Sequence, residues 1–192
     1  TPKLNNKMEE IIAVLRSGGV ILYPTDTVWG LGCDATNAEA VAKIFAIKHR
    51  AEQKAMIVLL PTIDSVARYI DRVPDMAWEL FENSRGGKPL TLILPGGAGV
   101  ADNLLPLERT MAIRVPEHRF CNELLRKLNR PLVSTSANIS GQTAAVHLED
   151  VSPEILNAVD YVVDKSNEGQ PTGQPSSIIS LSLSGEIHII RP

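Results

Sequence analysis

An apolar run, Pro131-Leu132-Val133, passes directly into Ser134-Thr135-Ser136-Ala137-Asn138-Ile139-Ser140-Gly141. The first part reads as a short buried strand. The second is too small and polar to build a core. It leaves hydroxyls, an amide and backbone N–H groups at a strand end, where open α/β sheets place their ligands. The pattern also occurs early, where Ile21-Leu22-Tyr23 leads into Pro24-Thr25-Asp26-Thr27-Val28-Trp29-Gly30-Leu31-Gly32. Either stretch alone is compatible with an ordinary turn. Together they predict a pocket for a polar, phosphorylated small molecule.

The rest of the chain alternates helical and strand patterns. Residues 7–15 carry Met8, Ile11, Ile12 and Leu15 at helical spacing, and Ser17-Gly18-Gly19 ends that helix. Residues 20–23 read as a strand. Asn37 caps a second helix that buries Ala40, Val41, Ile44, Phe45 and Ile47 and runs out at Lys48-His49-Arg50. Further strands are expected over 56–60, 89–94, 111–115, 132–134, 161–163, 177–181 and 186–190, the last two as a hairpin across 182–185. Helices are expected over 62–69, 74–81 and 117–128, with a short one starting at Ser152-Pro153-Glu154. Residues 165–174 form the one long polar stretch and read as a surface loop or lid. This order predicts an α/β or α+β fold with a mixed sheet, and 192 residues predict one domain, 1–192.

Composition excludes little. Net charge is −3, with 19 Lys plus Arg against 22 Asp plus Glu, so no global charge marks a nucleic-acid or membrane protein. No apolar stretch approaches a membrane span and no signal-peptide core is present, so a cytoplasmic location is expected. Two local basic clusters stand out: Lys43, Lys48, His49, Arg50 and Lys54, and Arg114, His118, Arg119, Arg126, Lys127 and Arg130. Both read first as solvated helix faces. Cys33 and Cys121 lack metal-ligand spacing and read as reduced thiols, and no metal site is expected.

The chemistry points to phosphate. Lys48 and Arg50 complement the negative end of a helix, but with Lys54 in the next loop they also suit a triphosphate. Arg114 ends a strand just before Pro116 and offers either a surface cation or a fork for carboxylate or phosphate. Thr25, Ser176 and Ser177 add hydroxyls. Neither a Walker loop nor a strand-linked G-x-G-x-x-G is present, nor G-x-S-x-G or H-E-x-x-H. The candidate site is rich in donors and poor in bases, which fits transfer to phosphorus by positioning and charge stabilisation.

These stretches resemble a known family. Tyr23-Pro24-Thr25-Asp26-Thr27-Val28-Trp29-Gly30-Leu31-Gly32 is similar to its Y-P-T-[DE]-T-x-[YW]-G-L-G, and Lys48-His49-Arg50 to its K-x-R. Ala112-Ile113-Arg114-Val115-Pro116, Ser136-Ala137-Asn138-Ile139-Ser140-Gly141, Pro175-Ser176-Ser177 and Arg191 match its other motifs in order. The family is the YrdC-like threonylcarbamoyl-AMP synthases, in their short, single-domain form. The resemblance implies a twisted open mixed sheet with helices around it and a large, positively lined cavity. It implies synthesis of threonylcarbamoyl-AMP and pyrophosphate from L-threonine, bicarbonate or CO2, and ATP, with Mg2+ bound through the nucleotide. Downstream proteins would pass the threonylcarbamoyl group to tRNA. Lys48, Arg50, Lys54, Thr110, Ser134, Ser136, Asn138 and Arg191 would hold ATP, with Lys48 and Arg50 stabilising transition-state charge. Thr25, Arg114 and Ser176 would hold threonine. The chain departs from the family at Ala51 and Ala55, where prolines are usual, and at Leu59, where some members carry histidine. The alternatives are a module binding double-stranded RNA or tRNA, a YciO-type paralogue with little synthase activity, and a generic ATP hydrolase.

Overall fold

The computed structural model describes residues 2–50 and 56–192, with side chains from Lys7 onward. Among the described residues nine strands form one mixed sheet: β1 (Ile21–Tyr23), β2 (Gly30–Gly32), β3 (Ile57–Leu59), β4 (Leu90–Leu94), β5 (Met111–Arg114), β6 (Leu132–Ser136), β7 (Tyr161–Val162), β8 (Ser177–Leu181) and β9 (Ile187–Arg191). Their spatial order is β7-β1-β2-β6-β3-β5-β4-β8-β9. The pairs β1/β7, β3/β5 and β4/β8 are parallel and the rest antiparallel. The α-helices are α1 (Pro2–Arg16), α2 (Ala38–Lys48), α3 (Asp75–Ser84), α4 (Arg119–Leu128) and α5 (Pro153–Ala158).

Side-chain alternation along the strands divides the interior into two layers. Leu22, Leu31, Val58, Leu92, Ile113 and Val133 point to one face, where Val41, Ile44 and Phe45 of α2 and Ala77 and Phe81 of α3 cover them. Ile21, Tyr23, Leu59 and Leu132 point to the other, beneath Ile11 and Leu15 of α1 and Leu124 and Leu128 of α4. Arg114 shares that second face, because Leu59 pairs with it across β3 and β5. The register carries the face outward: Arg114 lies beside Thr91, Thr91 beside Ile178, and Ile178 beside Arg191. On the other side Ile57 lies beside Ser134, and Ser136 beside Gly30. One face of one sheet thus collects side chains far apart in sequence.

Several expectations need correction. β2 reads as loop because Gly-Leu-Gly has little strand propensity; pairing with β1 and β6 on its two sides makes it a strand. The strand expected over 132–134 continues to Ser136, so the polar motif begins inside the sheet. The helix expected over 62–69 is only a 3-10 turn, Asp64–Arg68, with no side-chain cap at its start. The helix expected from 117 begins at Arg119, where His118 Nδ1 accepts from the Cys121 N–H at 3.3 Å. Cys33 and Cys121 are buried free thiols.

Candidate active site

A cavity of about 190 Å3 opens on the second face, beyond α1 and α4. Its floor is the row of cross-strand neighbours just described: Gly30, Ser134, Ser136, Ile57, Arg114, Ile178 and Arg191. Thr25, Thr27, Val28 and Trp29 form one wall and Pro175-Ser176 another. Arg50 enters because α2 ends in a left-handed turn. His49 has φ +53°, and the Arg50 N–H returns to Phe45 O at 3.0 Å, which swings the chain off the helix axis.

Three guanidinium groups, from Arg50, Arg114 and Arg191, therefore face one small space, and no carboxylate is among the described lining residues. Arg114 is buried and paired with Asp26, whose second oxygen accepts from the Glu117 N–H at 3.2 Å. Arg114 Nε has no partner among the described residues. Arg191 donates from Nε to Ser176 O at 2.8 Å. Burial, and then the charge of Arg114, push the Arg191 guanidinium below its ordinary range. Burial alone does the same to Arg50. Like charges held together out of water favour an incoming anion.

The hydroxyls are set by local bonds. Thr25 Oγ1 donates to Val28 O at 2.6 Å and accepts from the Thr27 N–H at 3.1 Å, closing a tight turn. Ser176 Oγ meets Thr91 Oγ1 at 2.7 Å. Ser134 and Ser136 project from β6.

Lys48 corrects the reading of its cluster as a solvated face. It is 2% exposed. Its ammonium donates to Ser136 O and to Asn138 O, the latter at 2.9 Å, while its own carbonyl accepts from the Ser140 N–H at 2.9 Å. Lys48 thus holds the 136–140 turn from behind. Asn138 ties the same turn together by donating to Ile139 O and Gln142 O.

Thr25, Arg50, Arg114, Ser134, Ser136, Ser176 and Arg191 line the cavity, while Lys48 and Asn138 bond to the main chain of the turn that follows Ser136. Thr110 does not line the cavity. It precedes β5 at the end opposite Arg114, roughly 13 Å away along an extended strand. Leu59 is fully buried under α1 and α4. Lys54, with Ala51 and Ala55, lies outside the described residues. Sequence reasoning missed Asp26 as the partner of Arg114, although it sits within the quoted motif. It also missed Thr91, whose single hydroxyl inside an apolar strand was the available signal.

The sheet and the loop-rimmed cavity with its arginines define an α/β protein of the Sua5/YciO/YrdC kind. Residues 13–192 match that family, described as Telomere recombination, and the chain belongs to it. Two curated relatives are named threonylcarbamoyl-AMP synthase. That of Mus musculus is 34% identical over 185 residues, covering 94% of this chain and 65% of its own. That of Pseudoalteromonas translucida is 34% identical over 170 residues, covering 87% and 89%. The structure of P. abyssi Sua5 complexed with L-threonine superposes with a TM-score of 0.83 at 28% identity, over 91% of this chain and 51% of that one. E. coli YciO superposes with a TM-score of 0.83 at 26% identity, over 97% and 88%. The chain thus spans slightly under two thirds of the mouse protein and about half of P. abyssi Sua5.

Proposed function

We propose that residues 1–192 form one domain that makes threonylcarbamoyl-AMP and pyrophosphate from L-threonine, bicarbonate or CO2, and ATP. The observation that carries this is the meeting of Arg50, Arg114 and Arg191 in one cavity whose described lining has no carboxylate. The names of the curated relatives and the threonine bound to P. abyssi Sua5 support the choice of reaction. This synthesis would be the first step of N6-threonylcarbamoyladenosine formation in tRNA, with separate proteins making the transfer. A cytoplasmic setting fits that role; among the described residues no helix is long and apolar enough to cross a membrane.

Arg114 carries the amino-acid end. Asp26 already balances one side of its guanidinium, which leaves a neutralised, oriented fork suited to hydrogen-bonding a carboxylate. Thr25 and Ser176 flank it. Arg50 and Arg191, with Lys54, take the phosphates. Ser134, Ser136 and Asn138 orient the nucleotide, and Lys48 fixes the turn that carries Ser136 and Asn138. The threonine amine adds to the carbon of CO2 and loses one proton, giving a carbamate. A carbamate oxygen then bonds to the α-phosphorus as the bond to pyrophosphate breaks. No side chain becomes covalently attached. Mg2+, bound through the nucleotide, would supply charge neutralisation at the phosphates beside Arg50 and Arg191. The lining residues fit those phosphates rather than the ion, since none of the described ones is a carboxylate.

Threonine- and bicarbonate-dependent pyrophosphate release tests the reading. Arg50→Ala and Arg191→Ala should each lower the rate by about two to three orders of magnitude. Full retention in both would overturn it. A YciO-like protein of weak synthase activity has the same fold, and absence of turnover together with retained ATP binding would favour it.

A further inference from the structure

Glu168 lies in the 165–174 stretch that reads as an exposed loop, yet it is about nine-tenths buried. Its Oε1 accepts from the Trp29 indole N–H at 2.6 Å and from the Leu148 N–H at 3.3 Å. Its Oε2 meets His147 Nδ1 at 3.3 Å. Its backbone oxygen accepts from His118 Nε2 at 3.0 Å; His118 Nδ1 is taken by the Cys121 N–H, so Nε2 carries the hydrogen. Burial opposes charge on this carboxylate, but the hydrogen bonds from Trp29 and His147 outweigh it and hold the group below its usual range.

The chain beyond Glu168 is laid along the 24–29 loop. The Thr172 N–H donates to Asp26 O at 2.9 Å, and the Gly173 N–H to Thr27 O at 3.0 Å. Two steps later come Pro175 and Ser176, in the cavity wall. Thr25 and Ser176, both assigned to threonine above, therefore sit on the two segments that Glu168 joins. Neither Glu168 carboxylate oxygen bonds to Arg50 or to the 136–140 turn, both assigned to the nucleotide; that turn meets Trp29 through the main chain, where the Ala137 N–H donates to Trp29 O at 2.9 Å.

We propose that Glu168 is a positioning residue for the threonine subsite. It acts through Trp29, clamping the 24–29 loop to the strap that carries Ser176, and it touches no substrate itself. The inference rests on the threonine assignment of Thr25, Arg114 and Ser176. Its signature is selective: the amino-acid end of the cavity loosens when the clamp is cut, and the phosphate end does not.

Steady-state kinetics with an indole probe tests this. Glu168→Ala should raise KM for threonine about tenfold, with KM for ATP held within about twofold and kcat within about threefold. Glu168→Gln should stay near wild type, because its amide oxygen still accepts from Trp29 and Leu148. In a Trp78→Phe background the Trp29 indole N–H gives the only indole signal in a 15N spectrum. Glu168→Ala should shift it and speed its exchange, and Glu168→Gln should not. Should Glu168→Ala fail to fold, Trp29→Phe cuts the same bond from the other side and must show the same split. An unchanged threonine KM, a parallel rise in both KM values, or an unmoved indole signal would overturn the proposal. A wild type without threonine-dependent turnover would overturn the synthase reading itself, a result that the indole signal does not depend on.

Discussion

Lys48 sits at the end of α2 as a buried cation whose donors are spent on two main-chain carbonyls. Burial, and then the nearby charge of Arg50, lower its pKa to about 8. An unfolded lysine keeps its proton to about 10.4. Between those values the unfolded chain binds more protons than the folded one, so the Lys48 contribution to stability rises with pH across that window. Below it the buried charge costs on the order of 3 kcal/mol before its hydrogen bonds are counted. The check is urea unfolding of the native protein and Lys48→Met at pH 7 and pH 10.5. The gap between them should move in favour of the native lysine by on the order of 3 kcal/mol; parallel curves would show that folding leaves the Lys48 pKa where it is in the unfolded chain. The sequence displays Lys48 and Arg50 as equals two residues apart. One faces the cavity and the other faces the turn behind it, and only the left-handed backbone at His49 decides which.

Strand β2 shows how an element can be imposed by its neighbours. A Cβ placed on Gly32 would lie 2.6 Å from the Tyr23 ring and 2.9 Å from Val133 O. Tyr23 is fully buried and Val133 belongs to the adjacent strand, so neither can retreat. Gly32→Ala should cost about 2–3 kcal/mol by overpacking, read as a fall in the denaturant midpoint. Gly30 is different: its Cβ would meet Thr135 O at 3.3 Å and intrude on the cavity floor. Gly30→Ala should cost less than about 1 kcal/mol but depress turnover more than Gly32→Ala does, relative to the folded fraction. The reverse ranking would mean that the floor lies elsewhere. The long helices were legible because their apolar faces recur at helical spacing, and Asn37 does cap α2 by accepting from the Ala40 N–H at 3.0 Å. β2 was not, because its reason for being extended lies in β1 and β6. Asp64–Arg68 was misread because apolar periodicity does not distinguish a short tight turn from an α-helix.

The molecule gathers positive charge in one place while its net charge is −3. An anion at that place relieves repulsion that folding has already accepted, so it should stabilise the whole fold. Pyrophosphate or ATP at about a hundred times its Kd should add about 2.7 kcal/mol of stability, seen as a rise in Tm that shrinks with added salt. Arg191→Ala should abolish most of that rise; a rise that survives would place the anion away from the cavity. At this scale the mixed sheet was legible from the alternation of elements. Strand order was not, since nothing local in β6 says that it lies between β2 and β3. The motifs named Thr25, Arg50, Arg114, Ser134, Ser136, Ser176 and Arg191, which line the cavity, and also Thr110, which does not, without showing that Asp26 pairs with Arg114 or that Thr91 meets Ser176.

The strand order has a consequence for synthesis. The six middle strands of the sheet are β1 to β6, the ones a ribosome delivers first, while β7 and the β8–β9 pair are added afterwards at the two rims. A nascent chain released as far as Ser136 can already zip its centre together, but it owns neither Ser176 nor Arg191. Closure of the sheet's centre therefore precedes completion of the cavity on the growing polypeptide, and an early stop in translation would yield a partly built sheet whose cavity lacks Ser176 and Arg191.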